Sequence, residues 1–282
     1  MSRQSFVVDR GPGGWGNAIA IPGLVAPLNQ GEAAAVSVSC AAVDDCSATG
    51  TYEDGSGLTQ GFVVDRGPGG WGNAIAIPGL TAVGTSDPAV SPALHFPVSV
   101  DCATAGSCVV AGYYYGPQGF GGFVADRTSG TWTSAIAMAG LPGTPVTVLV
   151  NQVACADAST CAVIGSLFDP SAPTPRWEAF LNQRTGGTWG TVASVPGLSA
   201  LGGEVDFEHL VIACVRNGNC VSGGGHSVTP STAPPYAAFL TRFVPMSSTT
   251  TTASSSTSVS STSVPGPTTT AATEPVEPRY TG

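Results

Sequence analysis

Residues 6–24, FVVDRGPGGWGNAIAIPGL, recur without a single change as residues 62–80. Exact recurrence marks a recent duplication and makes an array of like units the first constraint on the fold. Diverged copies follow at 123–141, FVADRTSGTWTSAIAMAGL, and at 180–198, FLNQRTGGTWGTVASVPGL, with a fragment, FLTRF, at 239–243. The Phe anchors at 6, 62, 123, 180 and 239 lie 56, 61, 57 and 59 residues apart. A period of that size belongs to propellers and other repeat arrays, whose units bury their faces only against one another.

One C-x5-C segment lies between successive anchors: Cys40 and Cys46, Cys102 and Cys108, Cys155 and Cys161, Cys214 and Cys220. Eight cysteines allow 105 pairings, and the repeat symmetry favours the one in which each pair closes locally. Zinc is the competing reading, but the gaps exceed the usual C-x2-4-C knuckle and no His accompanies each pair. Free thiols are the third. Disulfides place the chain outside a reducing cytosol.

Each unit has a strand reading. Val36-Ser-Val-Ser-Cys40 and Val98-Ser-Val-Asp-Cys102 alternate apolar with polar at the period of two that a strand imposes. The cysteines then flank a hairpin turn, and opposed positions in an antiparallel pair come within disulfide reach, about 4.5 to 5.5 Å between Cα atoms. A third strand starts at Phe and ends at Asp-Arg (Gln183-Arg184 in the fourth copy), a Gly-rich turn follows, and a fourth starts at Trp15, Trp71, Trp132 or Trp189. The fold expected is all-β: a β-propeller of four to five four-stranded blades over residues 1–245. Seventeen candidate strands leave one over in a closed ring, so an open array is the alternative.

The 38 Gly and 23 Pro, against 10% charged residues, disfavour helix. All nine basic residues are Arg, scattered singly, and the net charge is −9. No basic patch exists to release counterions from a phosphate backbone, so no nucleic-acid partner is expected. No stretch approaches the roughly twenty apolar residues of a spanning helix, so no membrane-spanning segment is expected either. Residues 246–282 form a Ser/Thr/Pro-rich tail with few apolar side chains, which we expect to be a disordered spacer. The first residues run into a strand with no apolar h-region, so no signal peptide is visible and a truncated start is expected.

At the turn between the third and fourth strands, Asp126-Arg-Thr-Ser-Gly-Thr-Trp132 resembles the Asp-box, S-x-D-x-G-x-T-W, of BNR-type propellers. The interval from Asp to Trp is one residue longer, and Gln183 replaces Asp in the fourth copy. Residues 1–245 resemble the Cys-paired propeller-like repeats of secreted actinobacterial proteins. The resemblance implies a propeller fold, an extracellular or cell-surface location and a turn-stabilising role for the box, not an active site.

Chemistry is sparse. His95, His209 and His226 fall in unrelated contexts and read as surface residues; no G-x-S-x-G elbow or P-loop occurs, and Gly223-Gly-Gly225 reads as turn material. Candidate carboxylates for a glycan hydrolase or lyase are Asp44, Asp45, Glu53, Asp54, Glu178, Glu204, Asp206 and Glu208. Glu53-Asp54 and Glu204-Val-Asp206-Phe-Glu208, with His209 beside it, also suit Ca²⁺, although solvated loops of this kind are commoner. The Asp-Arg pairs read as turn caps, and the Trp of each unit as packing between blades. The reading assigns no catalytic, metal or cofactor-binding residue and no cofactor. It favours a monomeric, non-catalytic module binding a protein or polysaccharide, over a hydrolase or a structural segment of a longer surface protein.

Overall fold

A computed structural model describes residues 3–84, 94–116, 119–141, 146–202, 204–216, 218–227 and 236–243; the expected spacer at 246–282 lies outside them. Three units each form a five-stranded antiparallel sheet. In the first, an inner strand Ala33–Ala42 pairs with a middle strand Asp45–Glu53, which pairs with the Phe strand Thr59–Gly67. The second repeats this as Leu94–Thr104, Ser107–Gly116 and Gly119–Thr128, the third as Thr147–Asp157, Thr160–Phe168 and Trp177–Thr185. A fourth sheet holds Val211–Cys214, Cys220–Ser227 and Tyr236–Phe243. The first copy of the repeat forms two small pairs, Phe6–Val7 with Ile19–Ala20 and Arg10–Gly11 with Gly14–Trp15.

The expected fourth strand is in fact two. Thr131–Trp132 and Ile136–Ala137 both pair with the Phe strand of the second sheet, and the other units break in the same way. The break has a use between units: the Ala135 N–H, freed from the ladder, donates to the Pro78 carbonyl of the preceding unit at 2.7 Å. Ala74 to Pro22 and Val192 to Ala139 repeat that bond at the same length.

The Phe anchors form the core of each sheet. Phe62, Phe123 and Phe180 are at most 1% exposed. Each faces a glycine on the middle strand, Gly50, Gly112 and Gly165, and in the fourth sheet Phe239 faces Gly224. A Cβ on Gly112 would lie 2.7 Å from Phe123 Cζ and 2.3 Å from the Phe96 carbonyl, so only glycine fits beneath the ring. Gly223, Gly224 and Gly225 are therefore strand residues rather than a turn.

The four cysteine pairs are bonded, each spanning 3.9 to 4.0 Å between Cα atoms, tighter than the spacing expected from an opposed pair. The five residues between them hold a two-residue turn and one bulge, at Ala41, Ala103 and Ala156 in the three complete sheets.

The inner strands of neighbouring sheets stand side by side without pairing, and their polar residues take over the missing bonds. Ser37 Oγ accepts the Val100 N–H, Ser99 Oγ that of Val153, and Gln152 Oε1 that of Ile212, at 2.8 to 3.2 Å. One register step on, Ser39 Oγ and an Asp101 oxygen accept the Cys102 and Cys155 N–H groups. The polar positions of that alternation thus serve the joint between blades. All four inner strands line one central cavity of about 370 Å³. This is a β-propeller: blades around an axis, each buried against its neighbours.

Candidate functional site

The strands place two different surfaces at their two ends. At the cysteine end, the Asp of each unit reaches forward to the next. Asp9 accepts from Arg66 Nε at 3.0 Å and Trp71 Nε1 at 3.1 Å. Asp65 lies 3.1 Å from Arg127 Nε and accepts from Trp132 Nε1, and Asp126 accepts from Trp189 Nε1 and lies 3.7 Å from Arg184. The Asp-Arg pairs are therefore not caps of their own turns, as the sequence suggested, but clasps between consecutive blades. At two of the three joints the guanidinium is buried: the Arg127 and Arg184 side chains are 9% exposed, against 21% for Arg66. Burial lifts the Asp126 carboxyl above the usual range, against the pull of Arg184 and the Trp189 N–H. Gln183 stands at the Asp position of the third sheet, and the Phe strand of the fourth sheet carries Phe243 at the matching Arg position.

Asp44 and Asp45 serve the same architecture. Asp44 pairs with Arg66, and Asp45 accepts from Arg127 and from the Gly106 N–H. Burial acts to raise the Asp45 carboxyl, but those two donors outweigh it and hold it below the usual range.

The opposite end breaks the repeat. Trp177, which no other unit has, opens the Phe strand of the third sheet and stacks on Phe207, ring centroids 4.5 Å apart, with Phe168 at 5.6 Å. Residues 204–206 are tied to both adjoining sheets: the Val205 N–H donates to the Trp177 carbonyl at 3.2 Å and the Asp206 N–H to the Gly225 carbonyl at 2.9 Å. The Trp177 N–H in turn donates to Glu204 Oε1. A groove of about 520 Å³ results, lined by Trp177, Phe207, Glu204, Asp206, Glu208 and His209. On the other side of Trp177, a small hollow of about 100 Å³ holds Arg176 and Glu178, which pair at 3.0 Å.

Of the carboxylates proposed from sequence, Glu178, Glu204, Asp206 and Glu208 gather at this rim, while Glu53 and Asp54 hold a separate loop through the Glu32, Ser56 and Leu58 N–H groups. None of the eight lines the central cavity, where the carboxylate is Asp101, held by Ser39 and the Cys155 N–H. Among the described residues no three of His, Cys, Asp and Glu come together to hold a metal. Asp206 instead accepts from the Glu208 N–H and sits 2.9 Å from His209 Nδ1. Phe207 was not singled out by the sequence; its signal is an aromatic in a segment that no other unit shares.

His95 and His226 are not surface residues. His95 is 1% exposed, its ring nitrogens 3.0 Å from Gln60 Oε1 and 3.1 Å from the Val83 carbonyl. Burial lowers its pKa below 6.5, only partly offset by the Val83 contact. The unfolded chain therefore binds a proton that the folded protein resists, and stability is retained above about pH 6.5 and lost as pH falls below it. We expect the melting temperature to drop between pH 7 and 5 by a margin that shrinks in His95→Gln, measured by thermal denaturation.

Among the described residues no helix is long and apolar enough to cross a membrane. No family model and no curated protein matches the sequence. Among solved structures, the chain is similar to the subtype N10 neuraminidase-like protein of A/little yellow-shouldered bat/Guatemala/060/2010, at 11% identity over 71% of this chain and 54% of that one, with a TM-score of 0.39. It is also similar to the fucose-specific lectin from Aleuria aurantia, at 10% identity over 73% of this chain and 94% of that one, with a TM-score of 0.19. The chain spans about half the length of the neuraminidase-like structure. The propeller assignment accordingly rests on the sheets and their joints rather than on these superpositions.

Proposed function

We propose that this propeller is a non-catalytic, secreted or surface-exposed monomer that binds a polysaccharide through the rim groove at Trp177 and Phe207. The observation that carries the reading is the groove itself: the stacked pair and three carboxylates occupy the place where the repeat is broken by side chains found in no other unit. Aromatic surface beside hydrogen-bond acceptors suits sugar rings. Glu204, Asp206 and Glu208 repel acidic glycans, so neutral or amino sugars are the class that fits. One fact supports the setting. All eight cysteines are bonded, a state that persists outside the cytosol.

The test is retention on immobilised neutral, amino-sugar and acidic polysaccharides, with secreted and surface proteins as a parallel panel. Retention on a neutral or amino-sugar polymer, weakened about tenfold or more in Phe207→Ala, is the expected result. Release of reducing ends, abolished in Glu178→Gln, would replace this reading with a glycan hydrolase. Retention on nothing would leave a structural segment of a surface protein.

A further inference from the structure

The five Phe anchors do not share one environment. Phe62, Phe123, Phe180 and Phe239 are 0 to 6% exposed, whereas Phe6 is 64% exposed. Trp15 is 71% exposed and Val8 37%, although residues 6–24 are identical to 62–80, where the second copy of Val8, Val64, is 1% exposed. A sequence that makes the buried Phe strand and edge of one blade is therefore present a second time with, among the described residues, no middle strand paired to it. The fourth sheet has the reverse composition: an inner strand, a middle strand and a Phe strand, with no broken edge among the described residues. Together they hold one blade and one surplus Phe strand.

The joints indicate which Phe strand belongs. The first unit already sits in the place preceding the first complete sheet, since Asp9 clasps Arg66 and Trp71 and the Pro22 carbonyl accepts the Ala74 N–H. The fourth sheet sits in the place following the third, through Gln152 to Ile212 and Asn151 to Phe207. Its strand 236–243 carries Arg242 at the register position that Asp65 occupies in the first sheet. An Arg at the clasp position would face Arg66, where Asp9 supplies the needed carboxylate. At the other joint, the first Phe strand would bring Arg10 and Trp15 to Gln183, whose amide oxygen can accept from both, whereas residues 236–243 carry Phe243 at the Arg position. The two open inner strands, with Val38 on one and Ala213 on the other, line the same cavity.

We propose that the exposed edge of residues 6–10 is the docking surface for this chain's own middle strand Cys220–Ser227. The first Phe strand there replaces residues 236–243 and closes a ring of four blades. The register in which Gly50 faces Phe62 and Ala48 faces Val64 then sets Phe6 over Gly224 and Val8 opposite Ser222. Ser222, whose hydroxyl is buried without a partner, faces Thr241 in the open arrangement. This inference concerns closure of the ring and stands independently of the rim groove.

The test is a Val8→Cys/Ser222→Cys pair in the full chain, oxidised and mapped without reduction. An intramolecular 8–222 bond at monomer mass in most of the protein is expected. Disulfide-linked dimers would overturn the proposal by assigning the edge to a second copy, and absence of the 8–222 bond would overturn it outright. A second measurement avoids the added cysteines. Phe6→Ala should shift the denaturation midpoint as far as Phe62→Ala does, and Phe239→Ala hardly at all. The opposite order overturns the closure.

Discussion

Reduction of the four disulfides lowers the unfolding free energy by about 8 kcal/mol. Each bridge closes a ring between cysteines six positions apart. On the chain-entropy view such a ring removes about 2 kcal/mol of freedom from the unfolded chain. The sum is comparable with the whole stability of an ordinary domain, about 5 to 15 kcal/mol, so the reduced protein is expected to be largely unfolded at ambient temperature. Guanidinium titration of oxidised and of reduced, alkylated protein checks this. A midpoint unchanged by reduction would mean that blade packing alone sustains the fold. Because the rings are local and alike, removing only the Cys40–Cys46 bond should cost about 2 kcal/mol.

The second large effect is expected at a single side chain. Phe123→Ala should destabilise by about 3 to 5 kcal/mol, the usual range for deleting a buried aromatic. The site has little means of collapse. Phe123 is fully buried in the second sheet, packed with Val63, Leu80 and Val110. Its partner across the ladder is Gly112, which has no side chain to move into the space. The midpoint should fall without a change in denaturant slope, the sign that native packing rather than unfolded compactness has changed. The reciprocal change, Gly112→Val, should also destabilise, since the new atoms meet the Phe96 carbonyl.

Much of the fold is legible in the sequence because the units are copies and their strands are short and local. A Phe, a Gly-rich turn and a Trp at constant offsets, with C-x5-C between them, yield sheet order directly. What stayed hidden lies between units. The Asp65 carboxylate finds Arg127 and Trp132 more than sixty positions ahead, and its neighbour Arg66 is the tempting local partner. Nothing in Thr133-Ser-Ala135 signals a broken strand; the cause is a carbonyl on Pro78 in the preceding blade. His95 reads as polar and is buried because Gln60 and a carbonyl satisfy it. At the rim, the acidic residues of 204–208 were visible, but their meeting with Trp177 depends on a backbone bond from Val205 that only the folded chain forms.

The Asp clasps also bear on how such a chain changes over generations. At each of the three joints Asp9–Arg66, Asp65–Arg127 and Asp126–Arg184, one unit presents a carboxylate forward and the next a guanidinium with an indole backward, so the joint has polarity and the same chemistry at each occurrence. A crossover between two copies, such as the identical stretches 6–24 and 62–80, adds or removes a unit without creating an unmatched joint. Copy number can therefore drift at little structural cost, while an inversion or a cut inside a unit separates donors from their acceptors. Gln183, an amide where the three joints before it carry a carboxylate, acts as punctuation: it is where the series of identical joints stops.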